Sequence, residues 1–229
     1  MGAEHHLTGE FNRLLTDIEQ IQLREGTDHL ACKLAVDGKY RVEIIRKAID
    51  QNQTQCPLQS LIIWSKVIPL KVSCFLWRTV IGRIPSAKAL SQRGVKTDST
   101  SCSSCIGGIE CADHLLIDCP YACGIRENIF RWCGVETNAT NKINTVGELV
   151  SFAANWGRCP KKRKRLTAIC YGMIWNSWRS RNNRLFQNSF ERPYIVEESI
   201  KAMVFMWIKC RGKNANCSWE NWMSSPLSL

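Results

Sequence analysis

Apolar residues recur at intervals of three and four positions along most of the chain, a period that predicts amphipathic helices. The pattern is clearest at residues 161–188, where apolar side chains are spaced by three, four, seven and eight positions, and it returns at residues 194–210. The same spacing predicts further helices at residues 9–25, 71–81, 87–93, 120–134 and 146–156. Pro69 suits the start of the helix at 71–81, Ser86 is the expected N-cap of the helix at 87–93, and Gly94 is expected to end that helix. We therefore expect a mainly α fold.

One segment departs from the helical period. Asp37 and Gly38 stand between short stretches with apolar residues, and an Asp-Gly pair in this setting is typical of a two-residue hairpin turn. We therefore expect a small two-stranded β-hairpin over residues 30–44. A short helix that runs into a polar loop is expected to follow it at residues 46–56.

The composition of the 229 residues is that of a folded globular chain, with 45% hydrophobic and 22% charged residues. Because no apolar run of about 18 residues occurs, we expect no membrane span and no membrane partner. The N-terminus lacks the apolar core of a secretory signal. With 13 cysteines and no such signal, we expect an intracellular, reducing compartment in which the thiols stay free or bind metal.

The positive charge is concentrated in one part of the chain. Residues 157–213 carry 14 basic and 3 acidic side chains, so this segment alone holds a net charge equal to the +11 of the whole protein. Such asymmetry favours a polyanionic partner, RNA or DNA, and the run Lys-Lys-Arg-Lys-Arg at residues 161–165 is its densest part. The same run is typical of a nuclear import signal, which would make the location nuclear, and also of a solvated helix start.

Eight basic residues are our candidates for contact with nucleic acid: Lys161, Lys162, Arg163, Lys164, Arg165, Arg179, Arg181 and Arg184. Because positive charge at a helix N-terminus opposes the helix dipole, we expect residues 161–165 to fray or to precede the helix. Trp175 and Trp178 lie close to the last three arginines, where core packing is their expected use and base stacking is the alternative.

Four cysteines and one histidine occur within residues 102–119. The spacing C-x2-C-x8-H-x4-C is formed by Cys102, Cys105, His114 and Cys119. It supplies three thiolates and one imidazole, the ligand set of a closed tetrahedral Zn²⁺ site. The sequence therefore predicts one zinc ion held by these four side chains.

Two further thiols compete for the site. Cys111 lies three residues before His114 and Cys123 lies one helical turn after Cys119, so both remain alternative ligands, and buried thiols without metal are a further alternative. Four good ligands leave no coordination position for water, so we expect a structural rather than a catalytic zinc. No H-E-x-x-H motif occurs, and Leu116 stands where a zinc deaminase carries its catalytic Glu.

The residues around the cysteines follow a wider pattern. They are Trp64, Ile68-Pro69-Leu70-Lys71-Val72, Phe75-Leu76-Trp77-Arg78, Gly82-Arg83-Ile84-Pro85, Leu90, Arg93-Gly94, Glu110, His114-Leu115 and Trp132. In order and spacing this set resembles the reverse-transcriptase zinc-binding domain, a module at the C-terminal end of plant non-LTR (LINE-like) retrotransposon polyproteins. With weaker matches on both sides, the resemblance covers roughly residues 28–190.

The resemblance implies a role in holding template RNA or DNA for reverse transcription. It also implies a parent polyprotein that is an RNA-directed DNA polymerase, which would continue upstream of residues 1–27 and carry the polymerase active site there. The chain itself contains no Asp-Asp pair of the kind that binds the polymerase Mg²⁺, and no other catalytic constellation is visible in its sequence. We therefore expect no enzymatic activity of its own.

Together these patterns predict a helical domain with a small β-hairpin and a CCHC zinc-bound turn. Three regions are expected: an N-terminal helical remnant at 1–27, a reverse-transcriptase zinc-binding domain at 28–135 with its zinc site at 102–119, and a basic helical C-terminal region at 136–229. The favoured function is a non-catalytic zinc module that contacts RNA or DNA template. The alternative is a degenerate or domesticated fragment that acts as a zinc-stapled protein-interaction scaffold, and the oligomeric state stays open.

Overall fold

Helices form nearly all the regular structure, as the hydrophobic period predicted. The computed structural model describes residues 2–19, 31–53, 62–105, 107–136, 142–212 and 218–228. It divides the chain into two units, residues 1–55 and residues 56–229. None of the helices in these described ranges combines the length and the apolar composition that crossing a membrane needs.

The first unit contains helix α1 (Gly2–Glu19) and helix α2 (Val42–Gln53). The helix predicted at residues 9–25 is therefore confirmed up to Glu19, and the remainder of that prediction lies outside the described residues. The helix expected after residue 46 is also present, but it begins earlier, at Val42.

The β-hairpin expected at residues 30–44 is wrong, because no strand forms within the described part of this segment. Gly38 has a positive φ of 68° and closes a compact turn, in which the Cys32 N–H donates to the Gly38 carbonyl at 2.7 Å. Val42, expected in the second strand, begins α2 instead. Val36 and Val42 are both exposed, so the segment lacks the buried apolar face that stabilises a two-stranded ribbon.

The second unit contains seven α-helices and one π-helical turn among its described residues. In chain order they are α3 (Leu70–Val80), α4 (Ala87–Gln92), the π turn (His114–Asp118), α5 (Pro120–Trp132), α6 (Val146–Asn155), α7 (Pro160–Gln187), α8 (Pro193–Arg211) and α9 (Trp219–Ser224). The helices predicted from residue 71 to residue 210 are confirmed, with small shifts at their ends.

Local chemistry sets several of these helix ends. The Ser86 hydroxyl accepts from the Ala89 N–H and caps α4, as expected, and Gly94 follows that helix with a φ of 77°. A capping box joins Thr145 to Glu148 at the start of α6. Helices α5, α7 and α8 each begin with proline, which has no N–H that would need a partner in the first turn.

Helix α7 is the central element of the second unit. Helices α3, α5, α6 and α8 and the π turn all pack against it. Its side chains Leu166, Ile169 and Tyr171 are fully buried. A Cβ on Gly172 would stand less than 3.0 Å from the side chain of Val204, so α7 and α8 cross closely. The segment with the cysteine cluster and the C-terminal helices therefore share one hydrophobic core.

The expectation that residues 161–165 fray or precede the helix is wrong, because α7 already begins at Pro160. The physical reason is visible at Arg163, whose guanidinium donates to the carbonyls of Trp156 and Gly157 at 3.2 and 2.8 Å. These carbonyls follow the C-terminal end of α6, where a cation is favourable. This contact offsets the unfavourable position of Arg163 in the first turns of its own helix.

Candidate metal centre

Cys102 and Cys105 lie on a tight loop that precedes the π turn. The described residues 101–105 and 107–109 form this segment, which we call the cysteine loop. An isolated antiparallel bridge joins Ser101 to Ile109, and the Cys102 N–H donates to the Gly108 carbonyl at 2.7 Å. Gly107 has a φ of 96°, which a residue with a side chain rarely adopts. The two thiols therefore project from a closed loop in which the backbone doubles back.

His114 and Cys119 are brought together by the π turn. The Cys119 N–H donates to the His114 carbonyl at 2.7 Å, which is the five-residue hydrogen bond of a π-helix. In a regular α-helix, residues five apart would point about 140° away from each other. The widened turn therefore places the imidazole and the thiol on the same side, with Leu115, Leu116 and Ile117 buried in the core behind them.

The four predicted ligands converge. One donor atom from each of Cys102, Cys105, His114 and Cys119 lies within 4.8 Å of all the others. The Sγ atoms of Cys102 and Cys119 are 3.9 Å apart, and Cys105 Sγ is 3.2 Å from His114 Nε2. A tetrahedral ion with Zn–S bonds of about 2.3 Å would hold two sulfurs about 3.8 Å apart. Three soft sulfurs and an imidazole at these spacings fit Zn²⁺.

The thiols of Cys102 and Cys119 influence each other's proton affinity. A hydrogen bond from the Cys119 thiol is the main cause that lowers the pKa of Cys102, and the Ser104 N–H contributes to the same effect. The pKa of Cys119 is raised, first by its hydrogen bond to Cys102 and then by burial. The pair therefore favours one thiolate and one thiol, and a metal ion would displace the remaining proton.

Cys111 and Cys123 lie outside the cluster of four donors. Cys111 Sγ accepts from the His114 N–H at 3.4 Å, at the start of the π turn. Cys123 Sγ donates to the Ile117 carbonyl at 3.1 Å. The two thiols thus have backbone partners of their own, which favours the ligand set Cys102, Cys105, His114 and Cys119 over the alternatives that the sequence left open.

Glu110 lies between the cysteine loop and the core and makes a buried ion pair with Arg181. Side-chain exposure is 2% for Glu110 and 6% for Arg181. Arg181 Nε donates to Glu110 Oε2 at 3.2 Å, its Nη2 bonds Oε1, and the Ala87 N–H donates to Oε1 at 2.9 Å. The carboxylate therefore links the cysteine loop to α4 and to α7, and the guanidinium of Arg181 is not exposed to a polyanion.

Arg184 also faces the cysteine loop. Its Nη1 donates to the hydroxyl of Ser104, which stands between the first two predicted ligands. Its guanidinium lies 5.0 Å from the ring centre of Tyr121 and 4.5 Å from that of Phe190. Its Nε and Nη2 are buried and have no hydrogen-bond partner among the described residues. No pattern in the sequence predicted the contact between Arg184 and Ser104, since the two residues are 80 positions apart.

The remaining predicted nucleic-acid contacts differ in exposure. Lys161, Lys162 and Lys164 are exposed on the first turns of α7, and Arg179 is exposed near its end. Arg165 is half-buried and donates to the Leu227 carbonyl at 3.5 Å. With Arg163 bonded to backbone carbonyls, the three lysines form the most accessible part of the basic run.

Comparison with known protein families gives a match that includes the cysteine cluster. Residues 40–125 match the model of a family described as zinc-binding in reverse transcriptase, and this range contains all four of the converging side chains. No curated protein and no solved structure matches the chain. The family match and the Cys-Cys-His-Cys geometry agree on the same stretch of sequence. Over residues 40–125, the chain is therefore similar to the zinc-binding domain of reverse transcriptases, the family that the sequence pattern indicated.

Proposed function

We propose that the chain is a non-catalytic module in which one Zn²⁺ stabilises a helical domain that contacts RNA or DNA. The convergence of four ligand atoms from Cys102, Cys105, His114 and Cys119 carries this proposal. The four side chains would fill the coordination shell of Zn²⁺, so water would have no position from which the metal could activate it. The zinc would then hold the cysteine loop against the π turn and supply no chemistry.

Exposed positive charge supports nucleic acid as the partner. Lys161, Lys162 and Lys164 lie side by side on the first turns of α7, within the segment that carries the whole net charge of the chain. Phosphate contacts need accessible cations and give sequence-independent affinity. Arg181 is left out of the proposed surface because it is buried against Glu110.

The family match supports an origin in a reverse transcriptase. We propose that the parent was the RNA-directed DNA polymerase of a plant non-LTR retrotransposon, and that this module helped to hold the template. The absence of an Asp-Asp pair from the sequence supports a role without polymerase chemistry. The basic run supports a nuclear location, where such an element would meet chromosomal DNA.

The metal assignment is tested by elemental analysis of the purified protein. We expect one zinc per chain, and a loss of most of it in the variants Cys102→Ser and His114→Ala. Cys123→Ser is the matched control, because Cys123 is a nearby thiol outside the cluster, and it should keep its zinc. Full zinc occupancy in the first two variants would refute the ligand assignment.

Nucleic-acid contact is tested by measuring affinity for RNA and DNA oligonucleotides over a range of salt concentrations. Neutralising Lys161, Lys162 and Lys164 together should weaken binding and reduce the slope of log affinity against log salt by about 2. The control neutralises three other exposed lysines, Lys88, Lys96 and Lys142, which removes equal charge elsewhere.

Failure of the unmodified protein to bind any oligonucleotide at low salt would reject nucleic-acid contact. The zinc-stapled protein-interaction scaffold would then be the better proposal. Equal losses in the two triple variants would show that net charge matters and that the start of α7 does not form a specific contact surface.

A further inference from the structure

A basic groove lies beside the first turns of α7. Its walls are formed by residues 63–67, by the start of α7 and by the end of α8, and its volume is about 820 Å³. Six of the described residues that line the groove are basic, and no acidic residue is found among the described lining residues. Charge of one sign in a concave site attracts a ligand of the opposite sign more strongly than the same charge on a flat surface.

Four of the six cations are exposed in the groove. Lys66 comes from the segment before α3, Lys161 and Lys164 from α7, and Arg211 from the last turn of α8. The other two, Arg163 and Arg165, donate to backbone carbonyls. Lys66 and Arg211 lie outside the basic run, and only the fold brings them to it. Four accessible cations from three separate segments match a ligand with several negative charges.

The groove also contains an exposed tryptophan. Trp64 is 55% exposed, and no other aromatic ring of the described residues packs against it. By contrast, the partly exposed Trp219 packs edge-on against Phe205 at 5.1 Å. An exposed indole without a ring partner offers a flat apolar face to a ligand.

The backbone that carries Trp64 is held firmly. Ile62, two residues earlier, is 5% exposed, and the Ile63 N–H donates to the hydroxyl of Tyr171 at 2.8 Å. Tyr171 is itself fully buried on α7. Trp64 therefore points from an anchored segment, and stacking on it would cost little backbone ordering.

We propose that this groove binds a single-stranded segment of RNA or DNA, with phosphates at Lys66, Lys161, Lys164 and Arg211 and a base stacked on Trp64. The proposal rests on the proposed function and names the strand type and the contacts. A duplex keeps its bases stacked on each other, whereas a single strand offers free base faces. An acidic peptide would satisfy the cations but would leave the indole face without a matching group.

A second groove extends the path. It has a volume of about 580 Å³, shares Arg211 with the first and is lined by Lys71, Trp175 and Arg179 among others. Lys71 Nζ lies 5.8 Å from the ring centre of Trp175. Along α7, Lys161 and Arg179 are separated by about 27 Å. A strand of several nucleotides that followed both grooves would therefore meet basic side chains over the full length of its contact with the protein.

The test compares a fluorescent single-stranded 12-mer with the 12-base-pair duplex of the same sequence by anisotropy titration. The single strand should bind more tightly. Trp64→Ala should weaken single-strand binding about tenfold and leave the salt slope unchanged, because the indole contacts a base and not a phosphate. Trp64→Phe, which keeps a ring, should restore part of the loss. Trp77→Ala is the control, since Trp77 is exposed on α3 outside both grooves.

The outcomes separate the proposal of a single-strand groove from the broader proposal that the protein contacts nucleic acid. If Trp64→Ala binds like the unmodified protein while the variant with Lys161, Lys162 and Lys164 neutralised binds weakly, stacking in the groove is rejected and nucleic-acid contact stands. Tighter binding of the duplex, or full competition by polyglutamate, would also overturn the groove proposal. If the unmodified protein binds neither strand form, the proposed function itself fails.

Discussion

Gly108 shows how closely the candidate metal centre is packed. A Cβ at this position would stand less than 3.0 Å from Cε1 and Nε2 of His114, which real Cβ atoms essentially never do. The imidazole is also the group that has to reach Cys105. Any side chain at residue 108 would therefore displace the imidazole of His114, one of the four predicted zinc ligands.

Gly108→Ala should lower the affinity for zinc at least tenfold, because the added methyl moves His114 away from the three sulfurs. A competition titration against a chromophoric chelator measures this directly. Gly124→Ala is the matched control, since Gly124 lies in α5 and a Cβ there would meet nothing within 4 Å. An unchanged affinity in Gly108→Ala would show that His114 does not need this position to bind metal.

The positive charge of Arg184 is expected to raise the affinity of the candidate metal centre for zinc. Zinc with three thiolates and a neutral imidazole carries a net charge of about −1, and the guanidinium bonds the hydroxyl of Ser104 beside two of those thiolates. Arg184→Met keeps much of the packing between Tyr121 and Phe190 but removes the cation. We expect a loss of zinc affinity of about tenfold, measured by the same competition titration.

Arg179→Met serves as the control for that variant, because Arg179 lies on the same helix but is exposed. Equal zinc affinities in the two variants would mean that the positive charge of Arg184 does not stabilise the cluster.

At the scale of the helices, the buried pair of Glu110 and Arg181 ties the cysteine loop to α4 and α7. Arg181→Met should lower the free energy of unfolding by about 3–5 kcal/mol, because it leaves a carboxylate buried without its cation. Urea unfolding followed by circular dichroism gives the value. Arg181→Met combined with Glu110→Gln should recover part of the loss, since the buried charge is then gone.

A change below about 1 kcal/mol in Arg181→Met alone would mean that water reaches Glu110 and solvates it. In the first unit, Lys47→Met offers a comparison, because its ion pair with Glu43 is exposed and should matter little.

The start of α7 has a consequence for thiol reactivity. Cys159 is exposed at the N-terminal end of this helix, and the backbone N–H groups of Lys162 and Lys161 lower the pKa of its thiol. A lowered pKa means a larger thiolate fraction at neutral pH, so Cys159 should react with iodoacetamide faster than Cys210. The difference should be at least about threefold and should grow as the pH falls from 8 to 6.

Mass spectrometry of alkylated peptides measures both rates in one experiment. Cys210 is the matched control because it is also exposed but lies in the last turn of α8. Cys170 should stay unreacted in the folded protein, since burial raises its pKa to about 12. Equal rates at Cys159 and Cys210 would contradict the effect of the helix N-terminus.

Sequence reasoning predicted most of the helices because the period of the apolar residues and the residues at helix ends are local signals. Ser86, Pro69 and Gly94 each act on their immediate neighbours, and the structure has them at the expected helix ends. The Asp37-Gly38 signal is also local, but a hairpin needs a partner surface that this segment lacks. Local chemistry produced the turn without the strands.

The candidate site was predictable in its residue types and less so in its surroundings. Spacing alone identified the four side chains that converge, since thiol and imidazole pairs at such intervals are the usual zinc ligands. It did not reveal the π turn, in which the backbone hydrogen bond spans five residues where an α-helix would span four. Nor did it reveal that Arg181 forms an ion pair with Glu110, because that contact joins residues 71 positions apart.

At the scale of the whole molecule, α7 extends from the basic groove to the candidate metal centre of the second unit. Arg181 and Arg184 near its C-terminal end contact the cysteine loop, and Lys161 and Lys164 at its other end line the basic groove. About 26 Å of helix separates Lys164 from Arg181. A ligand confined to the basic groove would therefore not touch the candidate metal centre, and the core is what connects the two regions.

Removal of zinc should consequently affect more than the cysteine loop. Because Leu115, Leu116 and Ile117 pack in the same core as α7, a strong chelator should lower the melting temperature of the second unit by more than about 10 °C. Differential scanning calorimetry with and without chelator measures the shift, and zinc added back in excess should reverse it. An unchanged melting temperature would show that the metal is not part of the folded core.

The shared core also bears on what is inherited when such a domain is copied from one gene to another. The family match ends at residue 125, in the middle of α5, yet α5 buries its apolar face against α7 and α8. A gene fragment cut at that boundary would encode all four predicted zinc ligands but not α7 and α8, and would leave Ile125 facing water. A fragment of this chain that keeps the apolar face of α5 buried would therefore have to be longer than the family match and extend at least through α8.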